Sequence, residues 1–220
     1  MPAFSCQVCG QSFDVPSAAL DRYPGWIPRL CRPCKAKRDG REPVRPAPPK
    51  PAPTARSRTY EEDLPVDEVL RRYTDGPKTG VFTDGAAQPN PGPGGWGAVY
   101  VSEDRIVAER YGDEPHTTNN RMELVALLAG VSLVPVGTAA TLYTDSRLCV
   151  NTFNEWAALW EQRGWKRKGG AIKNLELVQE IYAALKIRPE LTVAWIAAHN
   201  GYRWNEYADA LATAYRRSVK

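Results

Sequence analysis

Residues 40–59 hold six prolines, no aromatic side chain and a single acid. Such a composition buries too little apolar surface to offset chain ordering and reads as an extended, flexible linker. The chain must therefore fold on either side of it, as two units rather than around one core. Charge divides at the same place. Residues 1–59 carry 11 Lys+Arg against 4 Asp+Glu, net +7, leaving 18 of the 29 basic and 21 of the 25 acidic residues, net −3, to residues 60–220. The overall +4 is an amino-terminal property. The expected organisation is a small Cys-rich domain over 1–39, a basic Pro-rich linker over 40–59, a connecting segment over 60–77 with a helical piece around 65–73, and a larger domain over 78–220.

The small domain is dominated by two knuckles, Cys6-Gln7-Val8-Cys9 and Cys31-Arg32-Pro33-Cys34, with 21 residues between them. Paired CxxC motifs read as a four-cysteine, zinc-ribbon-like site for a structural Zn²⁺. The alternative is a pair of disulfides, against which stands the lack of a visible secretory signal. About 40 residues bury little core, so metal binding would supply folding energy. Phe4, Phe13, Tyr23, Trp26 and Ile27 are expected to pack around the metal. The fifth cysteine, Cys149, falls in a helical pattern and reads as buried.

In the larger domain four acids stand in short, unusual contexts. Asp84 follows the strand-like run Val81-Phe82-Thr83, which Gly85 is expected to end. Glu123 follows Thr117-Thr118-Asn119-Asn120, potential N-caps ahead of an apolar helix, and is placed in its first turn. Asp145 follows the strand-like Thr141-Leu142-Tyr143-Thr144, with Ser146 as cap of a helix carrying Leu148, Val150 and Phe153. Asp209 lies in a terminal helical pattern behind a polar loop with His199, Asn200 and Gly201. Singly, each acid reads equally well as a solvated turn residue or a cap.

Together, their surroundings resemble one family. The words are Thr83-Asp84-Gly85-Ala86 leading into Asn90-Pro91-Gly92-Pro93-Gly94-Gly95-Trp96-Gly97, then Thr118-Asn119-Asn120-Arg121-Met122-Glu123, then Thr144-Asp145-Ser146, then His199-Asn200-Gly201 with Asn205-Glu206 and Asp209. In order and identity they resemble type 1 ribonuclease H over roughly residues 78–216. The resemblance implies an α/β fold, a five-stranded mixed sheet flanked by helices in the order βββαβαβα. It implies an endonuclease that hydrolyses the RNA strand of RNA/DNA hybrids, leaving 5′-phosphate and 3′-hydroxyl ends. The chemistry needs two divalent ions about 3.5 to 4 Å apart, and hard oxygen ligands suit Mg²⁺, with Mn²⁺ as a substitute. By resemblance Asp84 bridges both ions, Asp145 helps hold the nucleophile-side ion, and Glu123 and Asp209 hold the other. His199 resembles the family's mobile loop histidine, which orders water or assists product departure. His116 has no motif support and reads as surface or structural.

Substrate contacts are expected around the acids. The glycines of residues 92–97 read as a tight hairpin turn, as a close approach for nucleic acid, or as both. By resemblance Asn90, Asn119 and Asn120 contact the hybrid at its minor groove and 2′-hydroxyls, Gln88 less securely, and Thr118 with Asn174 forms a pocket for a DNA-strand phosphate. Trp156 and Trp160, at i and i+4, read as a packed helix face. Trp165, Lys166, Arg167 and Lys168 interleave a tryptophan with cations, suit a surface that grips the DNA backbone, and resemble the family's basic protrusion.

The basic amino-terminal unit is expected to bind nucleic acid or a protein, tethered through the linker. A polynucleotidyl transferase of related fold, or a non-catalytic hybrid-binding module, are the competing classes. The first is disfavoured by the Asn-Pro-Gly-Pro-Gly-Gly and Asn-Asn-Arg-Met-Glu words, the second by the presence of all four acids. No stretch is long or apolar enough to cross a membrane and no targeting signal is visible, so a soluble protein of a reducing, cytoplasmic compartment is expected, and a monomer.

Overall fold

A computed structural model of the protein describes residues 2–15, 17–22, 27–38 and 63–217. The expected linker, and Tyr23 and Trp26 of the expected zinc core, lie outside those residues. The chain divides into two compact units, Met1–Tyr60 and Glu61–Lys220.

In the first unit β1 (Ala3–Ser5) pairs antiparallel with β2 (Ser12–Asp14), setting Phe4 opposite Phe13. Between them Gly10 takes a left-handed φ of +70° and its N–H donates to the Cys6 carbonyl, closing the first knuckle. Two short helices follow, α1 (Ser17–Arg22) and α2 (Arg32–Arg38). The aromatic rings of Phe4 and Phe13 are 6.2 Å apart. Ile27, expected in this core, is instead 65% exposed.

The second unit opens with α3 (Val66–Arg72), the helix expected around 65–73. Three antiparallel strands follow, β3 (Gly80–Ala87), β4 (Gly92–Ser102) and β5 (Arg105–Thr117). Then come α4 (Asn119–Leu133), β6 (Ala140–Thr144), α5 (Arg147–Asn151), a π-helical turn at Thr152–Trp156, and α6 (Ala157–Gln162). The chain ends with α7 (Leu175–Ile187), β7 (Leu191–Trp195), α8 (Arg203–Ala212) and α9 (Ala214–Arg217). The sheet order is β5-β4-β3-β6-β7, with β6 parallel to both β3 and β7. This is the five-stranded mixed sheet the resemblance implies.

Strand alternation distributes the core over both sheet faces. Val81, Tyr100 and Leu142 pack with Leu124, Leu127 and Ile181 of α4 and α7. Phe82 and Val99 pack with Val69 of α3 and with Trp204, Ala208 and Leu211 of α8. Arg188, 8% exposed, donates to the carbonyls of Val131, Val134 and Pro135 and so satisfies the Val131 and Val134 oxygens that the end of α4 would leave unpaired.

Several local expectations change. Gly85 does not end its strand; β3 runs on to Ala87. A Cβ at Gly85 would stand 2.2 Å from the Glu123 nitrogen, so the glycine is there to let α4 lie directly on the strand. The glycines of 92–97 do not form a turn either. They lie within β4, where a Cβ at Gly95 would meet the Ala212 carbonyl at 2.4 Å and one at Gly97 would meet Leu211 at 2.4 Å, so the space these two open is taken by α8. The hairpin connection is residues 88–91. Glu123 is the fifth residue of α4, one past its first turn.

Candidate active site and cysteine cluster

The acids are brought together by register and by the helix contacts just described. Thr83 of β3 pairs with Thr144 of β6, so the next step up the parallel ladder sets Asp84 beside Asp145. Asp84 lies on the sheet face covered by α8, which supplies Asp209, while α4 reaches the same end of β3 at Gly85 and supplies Glu123. Thr118 caps α4 by accepting from the Arg121 N–H, and Ser146 caps α5 by accepting from the Cys149 N–H. Ser146 also donates its hydroxyl proton to Glu123 Oε2 at 2.5 Å, tying the two acid-bearing segments together.

Burial pushes the Asp84 carboxyl well above the usual carboxylate range, helped by the neighbouring charges of Asp145 and Asp209 and by a hydrogen bond with Asp209. Glu123 is raised by burial, against which the Ser146 hydrogen bond works, and by Asp145. Asp145 is raised by burial; His199 pulls it down and Asp209 pushes it up. All four acids are thus linked by mutual repulsion, the arrangement a pair of cations would relieve. Oxygen donors alone are the ligand chemistry of Mg²⁺ or Mn²⁺, so the donor set fits those ions.

His199 stands on the exposed turn after β7 with a left-handed φ of +47°. Its ligating nitrogen, a Glu206 oxygen and an Asp209 oxygen lie within 4.8 Å of one another. Glu206, on the turn of α8 before Asp209, also accepts from the Gly201 N–H at 3.1 Å. In sequence Glu206 stands out only as part of a motif; its i, i+3 spacing from Asp209 is the signal that could have found it.

The asparagines tie the hairpin to α4. Asn119 Oδ1 accepts from the Ala87 N–H at 2.6 Å and Asn90 Oδ1 accepts from the Asn119 N–H at 3.3 Å. Asn120, Arg167, Lys173 and Asn174 line a cavity of about 130 Å³ over an apolar floor. Thr118 does not line it, and its hydroxyl is engaged in the cap. Lys166, Arg167 and Lys168 are all exposed. Trp165 is half-buried and packs on the core, edge-on to Tyr182 with ring centroids 6.0 Å apart.

In the first unit the sulfurs of Cys6, Cys9, Cys31 and Cys34 lie within 4.8 Å of one another, and all four are free thiols. Hydrogen bonds from the backbone of Cys31 and Cys9 lower Cys6 to about 6, while hydrogen bonding with Cys31 and burial push Cys34 up to about 12. Four crowded sulfurs that cannot all ionise unaided are the donor set a soft, tetrahedral Zn²⁺ takes. Cys149 is buried, and burial pushes its thiol up to about 12.

The RNase H family model matches residues 76–217. The chain belongs to the RNase H family. Among similar proteins, the ribonuclease H of Methylorubrum extorquens (strain PA1) is 42% identical over 142 residues, 64% of this chain and 61% of that protein. The ribonuclease H of Alcanivorax borkumensis is 41% identical over 133 residues, 60% of this chain and 87% of that protein. Among solved structures, LC9-RNase H1, described as a type 1 RNase H with the type 2 active-site motif, superposes with a TM-score of 0.54 at 33% identity, over 67% of this chain and 76% of that one. The RNase H match thus excludes the four-cysteine unit and α3.

Proposed function

We propose that the protein is an endoribonuclease that hydrolyses the RNA strand of RNA/DNA hybrids at a two-cation site formed by Asp84, Glu123, Asp145 and Asp209. The observation that carries this reading is the convergence of four mutually repelling carboxylates at one end of the sheet, on a fold whose relatives are named ribonuclease H. When bound, two Mg²⁺ or Mn²⁺ ions supply an activated water and offset negative charge on the leaving oxygen. The chain's own residues hold and orient. Asp84, central to the cluster, faces both Asp145 and Asp209, and Ser146 fixes the direction of Glu123. Glu206 anchors the loop from which His199 can take up or release a proton at the edge of the site. Attack of water at phosphorus with rupture of the bond to the 3′-oxygen leaves 5′-phosphate and 3′-hydroxyl ends.

With their amide oxygens engaged internally, Asn90 and Asn119 present NH2 groups as donors, and with Asn120 they suit the 2′-hydroxyls that distinguish RNA from DNA. Asn174 beside Arg167 and Lys173 suits a phosphate of the DNA strand, and Lys166, Arg167 and Lys168 extend the grip along its backbone. The four-cysteine cluster takes Zn²⁺ as a structural ion. Cysteines gathered as a metal-ligand set, with Cys149 buried, fit a reducing, cytoplasmic setting, where the protein acts as a monomer; no helix among the described residues is long and apolar enough to cross a membrane. The reading is tested by end-group analysis of products formed from a hybrid in Mg²⁺. A 2′,3′-cyclic phosphate would show that the 2′-hydroxyl, not water, is the nucleophile, and 5′-hydroxyl ends would show that the bond to the 5′-oxygen breaks; either would refute it.

A further inference from the structure

The RNase H match begins at residue 76, yet the core of the catalytic unit takes in α3. Val69 is 1% exposed and packs with Phe82, Trp204 and Leu211. The helix lies antiparallel to α8 with both ends tied. At its C-terminal end Arg203 donates to the carbonyls of Leu70 (3.0 Å) and Tyr73 (2.7 Å), and to Asp104 at 3.1 Å. At the other end Arg216 pairs with Asp63 at 2.8 Å and Arg217 donates to the Leu64 carbonyl at 3.1 Å.

Past Tyr73 the chain runs beside the residues that follow His199. Asp75 forms a parallel bridge with Tyr202, and the Arg203 N–H donates to the Asp75 carbonyl at 2.8 Å. Gly76, at φ +106°, passes so close that a Cβ would stand 3.0 Å from the Tyr202 Cβ. The ring of Tyr73 lies against Gly201, where a Cβ would stand 3.7 Å from Cδ1 of the ring. The loop is therefore held on one flank by Glu206 of its own helix and on the other by Tyr73 and Asp75, which precede the family match, and by Gly76, which opens it. A histidine at positive φ, as His199 is, persists only where its surroundings over-determine it.

We propose that residues 63–76 are a positioning strap for the His199 loop, with Tyr73 as the residue that bears on it. The strap sets the place of His199 in turnover and so rests on the hydrolase reading, but its mechanical part does not. Two measurements on the full chain separate them. Hydrogen exchange of residues 198–202 speeds up about tenfold or more in Tyr73→Ala and not in Val69→Ala, which loosens packing farther from the loop. Unchanged exchange in Tyr73→Ala overturns the strap whatever the activity. In hybrid cleavage, Tyr73→Ala lowers kcat about tenfold with KM within about twofold, and Tyr73→Phe restores it. In a His199→Ala background Tyr73→Ala adds no further loss, because both changes disable one unit. Losses that multiply in the double variant, or a wild-type kcat for folded Tyr73→Ala, overturn the positioning role. Should Tyr73→Ala fail to fold, Tyr73→Leu, which keeps apolar volume, goes through the same cycle. An unsubstituted chain that leaves hybrid uncut counts against the hydrolase reading, while exchange still decides the strap.

Discussion

Asp84 sits between two other carboxylates on a strand whose flanks are core, and its raised pKa has a consequence for stability. In the unfolded chain an aspartate titrates near 3.9. The folded value is higher, so without cations the folded state holds the proton more tightly. That contribution is fully present below about pH 4 and is lost as pH rises through the raised value. In chelator, Asp84→Asn is predicted to melt several degrees above the unsubstituted protein at pH 7, a gap that closes toward pH 4. The same substitution is predicted to reduce hybrid cleavage by about a thousandfold or more, whereas His199→Ala, which removes no ligand from the acid cluster, leaves measurable turnover. Equal losses from the two would contradict this division of labour. The four acids were legible because each is embedded in a distinctive word. Glu206 was legible only through its i, i+3 spacing from Asp209, and the Ser146 bond to Glu123 was not, because nothing in a linear motif says that a cap also orients a neighbour's carboxylate.

At the scale of elements, the strand–helix contact at Gly85 governs where Glu123 stands. Gly85→Ala is predicted to destabilise the catalytic unit by roughly 3 kcal/mol or more, since the new methyl collides with backbone that has no rotamer to escape into; thermal unfolding measures it. An unchanged melting temperature would mean α4 does not lie on β3 as described. The order of strands and helices was readable from apolar alternation and caps. The glycines were misread because a strand glycine that admits a helix and a turn glycine look alike in sequence; only the packing of α4 and α8 tells them apart. The packing of Trp165 was not legible for a similar reason, since in sequence the ring stands among cations and only the fold brings Tyr182 of α7 behind it. Replacing Lys166, Arg167 and Lys168 together by alanine is predicted to weaken hybrid binding and to reduce the slope of log affinity against log salt by about 2 to 3 units, roughly one per lost phosphate contact.

At the scale of the whole molecule, a catalytic unit of net charge −3 acts on a polyanion while the +7 lies in residues 1–59. On the proposed reading, attraction to nucleic acid comes from the local cations around Lys166, with the amino-terminal extension as the second candidate source, rather than from the overall field. Deleting residues 1–59 keeps α3 and its strap and is predicted to weaken hybrid affinity about tenfold at low salt, with saturated turnover nearly unchanged. An unaltered affinity would assign the four-cysteine unit to a protein partner instead. The central claim concerns the acids, and one assay addresses it directly: cleavage of a labelled RNA/DNA hybrid beside matched single-stranded RNA, double-stranded RNA and DNA, each with Mg²⁺ or with chelator. The account predicts that only the hybrid is cut, only in its RNA strand and only with the metal. Equal cutting of single-stranded RNA, or cleavage that survives the chelator, would contradict it.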